Sequence, residues 1–153
     1  MYQRIRFICG YWLLWLLIFQ LARGVFLIYN HQDTSTLDNS EILYCFLNGT
    51  KMDVSMAAYF SLLITLLMLI SLPFSQKISL NLIRVINIIF ALVSITIIIC
   101  DLPAYHAWGF RLDATPLKYL ATPHEAMASV SHLPLLSIFL GWLATVFCIM
   151  YIQ

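Results

Sequence analysis

Apolar and polar positions alternate along this chain in long blocks. Four apolar runs stand out: residues 7–29 (FICGYWLLWLLIFQLARGVFLIY), 54–74 (VSMAAYFSLLITLLMLISLPF), 82–100 (LIRVINIIFALVSITIIIC) and 133–152 (LPLLSIFLGWLATVFCIMYI). Each is close to the ~20 residues that carry a helix across about 30 Å of hydrocarbon. They are too long for barrel strands, and an open sheet edge cannot face lipid. The pattern predicts an all-α polytopic membrane protein with four transmembrane helices and a single transmembrane domain over 1–153.

Three polar blocks separate the runs. Arg4 and Arg6 precede the first, and Lys77 and Arg84 flank the short second connection. By the positive-inside rule these ends are cytoplasmic, as are both termini. Residues 30–53 and 101–132 then form two outer loops. They hold all seven acids and all four histidines. The first run has a basic start, but it is long, rich in Trp and Tyr, and lacks an A-x-A cleavage site. It reads as a retained helix rather than a signal peptide. Residues 30–41 (NHQDTSTLDNSE) read as a polar linker.

The second outer loop carries helix signals. Thr122-Pro123-His124-Glu125 combines an N-cap Thr, Pro at the first helical position and Glu three residues after the cap. Thr115-Pro116 begins a shorter turn in the same way. Two short interfacial helices are expected there, with Tyr105, Trp108, Phe110 and Tyr119 at the depth of the headgroups.

Composition agrees with this reading. Of 153 residues, 62% are hydrophobic and 10% charged, and the mean hydropathy is +0.90. Soluble domains average about 25% charged residues, so the bilayer is the natural solvent here. A net charge of +1 offers no field for nucleic acid.

Candidate chemistry is sparse. His124-Glu125 starts like HExxH, but residue 128 is Ala, so the second ligand is missing. No G-x-S-x-G and no phosphate-binding glycine loop occurs. Cys9, Cys45, Cys100 and Cys148 have no metal-ligand spacing. Cys45 and Cys100 share the outer side, where a disulfide and two free thiols are both open. Asn48-Gly49-Thr50 fits a glycosylation acceptor, relevant only in a eukaryotic secretory setting. Arg23 and Gln20 lie within the first helix. Arg23 is near its outer end, where it can snorkel, pair with a loop acid or meet an anionic headgroup. The absence of acids at mid-membrane argues against an ion-coupled transporter. Ala57 with Ser61, and Ser137 with Gly141, are small-xxx-small pairs that would let helices approach closely.

Two stretches carry a resemblance. NGTKMDVSMAAY, residues 48–59, resembles the Gly-x-basic-x-Asp-x-Ser run that opens the second helix in the lipoteichoic acid synthase and phosphoglycerol transferase family; here the positions are Gly49, Lys51, Asp53 and Ser55. Asp101, followed by aromatics, FRLD and Tyr119, is similar to the loop after that family's third helix. The order of helices and loops also agrees. The resemblance implies a bacterial cytoplasmic membrane location. It also implies about five membrane helices followed by an outward sulfatase-like domain, in which a Thr nucleophile and a divalent metal, commonly manganese, transfer a phosphoglycerol or phosphoethanolamine-type group. No residue here matches the nucleophile or metal positions. The chain would then be the truncated anchor and lipid-guiding part, silent alone, with no cofactor of its own and with membrane lipid and the missing domain as partners. Arg23, Lys51 and Arg111 are the cations for a lipid headgroup, and Asp53, Asp101 and Asp113 could order them by ion pairing. The alternative is a complete four-helix membrane scaffold; a transporter subunit ranks third.

Overall fold

A computed structural model describes residues 2–70, 76–109, 111 and 135–152. Every element among them is an α-helix: α1 (Tyr2–Tyr29), α2 (His31–Thr34), α3 (Asn39–Ile70), α4 (Gln76–Trp108) and α5 (Leu135–Ile152). Three are long and apolar enough to cross a membrane: Tyr2–Tyr29, Asn39–Ile70, and Leu80–Tyr105 within α4. The chain divides into two compact units, Met1–Ile86 and Asn87–Gln153.

The first unit is an antiparallel hairpin of α1 and α3. On α1, Tyr11 and Trp15 are buried, while Leu13, Leu17, Leu21 and Val25 form an exposed stripe at four-residue spacing. On α3 the buried residues are Ala57, Ser61 and Ile64, again one helical face. Aromatic rings fill the seam. Trp15 meets Phe60 edge-on with centroids 4.8 Å apart, and Phe19 lies 6.2 Å from the same ring. Ala57 and Ser61 supply the small surface that close packing needs in a medium where lipid offers no hydrophobic drive. Ser61 returns its hydroxyl to the Ala57 carbonyl at 2.8 Å, so that hydroxyl is not left unpaired.

The connection expected over residues 30–53 is shorter than its composition predicts. The helix expected over 54–74 begins at Asn39, so most of the loop assigned to 30–53 is α-helix. The linker expected over 30–41 is also structured. Asn30 ends α1 by donating its side-chain amide to the Phe26 carbonyl at 3.1 Å. The hydroxyl of Thr34 lies 2.9 Å from the Leu27 carbonyl and 3.0 Å from that of Asn30, sharing one proton among the last acceptors of α1. Asp38 then caps α3. Its N–H donates to the Glu41 carboxylate at 2.9 Å, and its own carboxylate accepts from the Ser40 hydroxyl at 2.7 Å. The Glu41 bond is the returning arm of a capping box, with Asp in the N-cap position.

In the second unit α4 outruns its expected end at Cys100 and reaches Trp108. Pro103 is tolerated inside it at the loss of one bond to the carbonyl four residues back. The helix stops at Gly109, whose φ of 73° suits a left-handed C-terminal cap, and whose N–H bonds the Tyr105 carbonyl at 2.8 Å. Trp142 on α5 donates its indole N–H to Thr96 on α4 at 2.9 Å. Gly141 is exposed, and nothing lies within 4 Å of its Cβ position, so the close approach expected there is not made among the described residues. The interfacial helices expected from Thr115 and Thr122 lie outside the described residues, as does Asp113.

Candidate functional site

Helical spacing brings Thr50 and Asp53 onto the face of α3 that meets α1. Gln20 and Arg23 project from α1 toward them, three residues apart on one face. The Arg23 guanidinium reaches both carboxylate oxygens of Asp53 through Nη2, at 2.7 and 2.9 Å. Its Nη1 donates to the backbone carbonyl of Cys45 at 2.9 Å. Gln20 donates its amide to Thr50 Oγ1 at 2.8 Å and to Asp53 Oδ2 at 3.1 Å. Thr50 passes its own proton to the Phe46 carbonyl at 2.7 Å.

Gly49 makes room for this network. A Cβ at that position would coincide with the Arg23 guanidinium. The side chains of Arg23 and Asp53 are only 15% and 12% exposed, so the pair is a fixture of the helix seam. The Nε of Arg23 is buried and has no partner among the described residues. The three bonds of the guanidinium are made between the two helices. Lys51 is exposed on α3.

The second pair is built differently. Gly109 turns the chain at the end of α4 and returns Arg111 to Asp101. Arg111 donates Nε at 2.9 Å and Nη2 at 2.5 Å to one oxygen of Asp101. Asp101 is 7% exposed, but Arg111 is 59% exposed. A buried carboxylate thus aims an accessible guanidinium.

Other candidates resolve quickly. Among the described residues no group of three His, Cys, Asp or Glu side chains could hold a metal ion. Cys9, Cys45 and Cys100 are free thiols. Asn48 is exposed but sits within α3, and Thr50 of its triplet is tied into the Gln20 network, so the acceptor triplet is not on a surface loop of the kind glycosylation uses. The Asp38 carboxyl is held below its ordinary value of 3.8 by the Ser40 hydroxyl and then by the N–H groups of Asn39 and Ser40.

Sequence reading gathered Arg23, Lys51, Asp53, Asp101, Arg111 and Asp113 as one set of headgroup contacts. The structure divides them. Arg23 pairs with Asp53 in the first unit, and Arg111 pairs with Asp101 in the second. Gln20, Gly49 and Thr50 belong to the first cluster; the resemblance had put Gly49 in one run with Asp53, and no motif had tied Gln20 or Thr50 to it. The signal was the three-four spacing of Phe46, Thr50, Asp53, Ala57 and Phe60, visible once α3 is allowed to start at Asn39. Comparison with known protein families, characterised proteins and solved structures finds no match.

Proposed function

We propose that this chain is the membrane anchor and lipid-guiding region of a sulfatase-like transferase acting on phosphoglycerol or phosphoethanolamine-type headgroups. In this reading α1, α3, α4 and α5 cross a bacterial cytoplasmic membrane, with both termini on the cytoplasmic side. The Thr nucleophile and the manganese-type metal would belong to an outer domain beyond this chain. The observation that supports lipid guiding is the Asp101–Arg111 pair. A cation that must grip a phosphate needs a fixed direction and an open face. Asp101 supplies the first by its burial, and the 59% exposure of Arg111 supplies the second. Lys51 is a further exposed cation, on α3.

A membrane scaffold is the second reading. It is favoured by the burial of Arg23 and Asp53, which spends the most extensive polar network of the first unit on holding two helices together.

Two measurements separate them. The reading frame beyond the Gln153 codon should continue into a further helix and a large outer domain; a stop with no such domain nearby overturns the transferase reading. In the full-length protein, Arg111→Gln should slow headgroup transfer from a lipid donor in vesicles while membrane insertion is unchanged. Equal transfer by the variant removes Arg111 from the lipid-guiding role.

A further inference from the structure

The face of α3 that meets α1 buries Ala57, Ser61 and Ile64. On the opposite side lie Asn48, Lys51, Ser55 and Ala58, all exposed, and Leu62, which is 67% exposed. Steps of three, four, three and four residues set these five in one straight seam of the kind that packs against another helix.

The seam is polar at a depth where α1 is not. Gln20 bonds Thr50 and Arg23 bonds Asp53, so Lys51 lies between Gln20 and Arg23 in depth. At that level and beyond it, the exposed residues Leu21, Val25 and Ile28 form the outward face of α1. Ile28 is five residues past Arg23, about 7.5 Å further out. In a membrane the hydrocarbon that covers this apolar face extends past Lys51. A charge in that position is costly, and it is kept where it meets a partner. Arg23 meets the requirement by turning inward to the Asp53 carboxylate of the neighbouring helix. Lys51 faces away from that helix. Its ammonium and the Asn48 amide have no partner among the described residues. The Ser55 hydroxyl donates to the Lys51 carbonyl at 3.0 Å and can still accept a bond.

We propose that this seam receives a transmembrane helix of a second protein, one that carries a carboxylate facing Lys51. The charge selects the partner: Lys51 requires from outside the hairpin what Arg23 finds within it. Ser55 and Ala58 are small, so a second helix can approach closely there. Asn48 and Ser55 stand one turn to either side of Lys51 and can bond polar side chains of the arriving helix. A phospholipid would bring one phosphate to Lys51 and leave the remainder of the seam unused. A second copy of this chain, inserted in the same direction, would set Lys51 against Lys51 across a two-fold axis. The docking needs only the membrane placement of the hairpin. It is independent of any transfer reaction, and it would stand if transfer were disproved.

The test titrates the full chain in phosphatidylcholine vesicles with a host peptide, a leucine–alanine membrane helix bearing one glutamate at the depth of Lys51. Binding is read by energy transfer between dyes on chain and peptide. Wild type should hold this peptide about tenfold more tightly than its all-apolar counterpart, the worth of one interhelical polar contact in a membrane. Lys51→Leu should abolish the difference, with helix content unchanged by circular dichroism. Lys51→Glu should reverse it in favour of a peptide bearing lysine. Moving the charge to α1, by Lys51→Leu with Leu21→Lys, keeps the depth but leaves the seam and should not restore binding. Equal binding of the two peptides by wild type, or full rescue by the moved lysine, overturns the proposal. So does preferential retention of phosphatidylglycerol over phosphatidylcholine that Lys51→Leu abolishes in native mass spectrometry, because the occupant would then be a phospholipid. A wild-type dimer that Lys51→Leu converts to monomer overturns it as well, because the occupant would then be a second copy. Should Leu21→Lys disturb insertion, the charge reversal at Lys51 alone decides.

Discussion

Among the described residues, two arginine–aspartate pairs are alike in chemistry and unlike in use. Arg23 and Asp53 come from different helices, are only 15% and 12% exposed, and share their site with Gln20 and Thr50. Arg111 and Asp101 lie ten residues apart in sequence across a glycine turn, and only the acid is buried. Burial of both partners makes the first pair a lock between helices. Burial of one makes the second an aimed surface charge. The same two residue types therefore serve stability in one unit and presentation in the other, and exposure of the arginine is what separates the cases.

The largest effect should come from breaking the lock. Asp53→Ala leaves a guanidinium in the helix seam with one carbonyl for company. Removing one partner of a buried pair costs about 3–5 kcal/mol. The variant should unfold at far lower denaturant in detergent, and crosslinks between α1 and α3 should fade. The double variant Arg23→Met with Asp53→Leu should recover most of the loss, because packed apolar residues replace buried ions at little cost. A single variant as stable as wild type would mean that the pair is not the lock.

Gly49→Ala probes the same site more gently. The new Cβ would meet the Arg23 guanidinium, so the arginine must move or α3 must step away. Overpacking of this sort costs about 1–3 kcal/mol. In a helix exposed to lipid the same change would instead be favourable by roughly 0.8–1.0 kcal/mol on propensity alone. The sign of the measured change therefore tells whether the guanidinium occupies the slot.

At the second pair the expected loss of stability is small. Arg111→Gln removes a cation that is 59% exposed and keeps an amide donor for the buried Asp101 carboxylate, so its cost should lie below that of Asp53→Ala. Its midpoint should stay near wild type while Asp53→Ala falls. If both variants lost the same stability, the contrast between lock and aimed charge would collapse.

Much of this architecture was legible in the chain, for physical reasons that also mark where legibility stopped. Apolar runs of about 20 residues announce helices because lipid tolerates little else. Their ends were harder. Residues 39–53 are polar enough to read as loop, yet they coil because Asp38 and Glu41 cap the helix and Phe46, Thr50 and Asp53 continue its buried face. The Asp-x-x-Glu spacing was present and was outweighed by composition. Gly109 similarly ends α4 eight residues past Cys100, where charge, not helix chemistry, had suggested an end. Arg23 was visible as an ion near the end of the first apolar run, and the other five as ions in the segments read as outer loops. Their partition into two pairs was not, because pairing depends on which helix faces meet and on a glycine turn, neither of which charge alone encodes.

The smallest effect belongs to a carboxylate outside both pairs, and it serves as their control. Asp38 caps α3 from a fully exposed position, and its folded pKa lies below its ordinary value because the Ser40 hydroxyl and the N–H groups of Asn39 and Ser40 favour the anion. A depressed folded pKa contributes stability that is present above the unfolded pKa, near 3.9, and that fades as pH falls through the folded pKa. Amide exchange in the first turn of α3 should therefore quicken only below about pH 4, while amides in the Ala57–Ile64 seam keep their protection. Asp38→Asn retains an N-cap acceptor and should flatten that pH response. If the first turn and the seam opened together on acidification, the cap would be coupled to the lock, and the helix end could not be treated as separate from the Arg23–Asp53 pair. If exchange stayed flat from neutral pH to pH 3 in the wild type, the cap would not depend on the Asp38 anion at all.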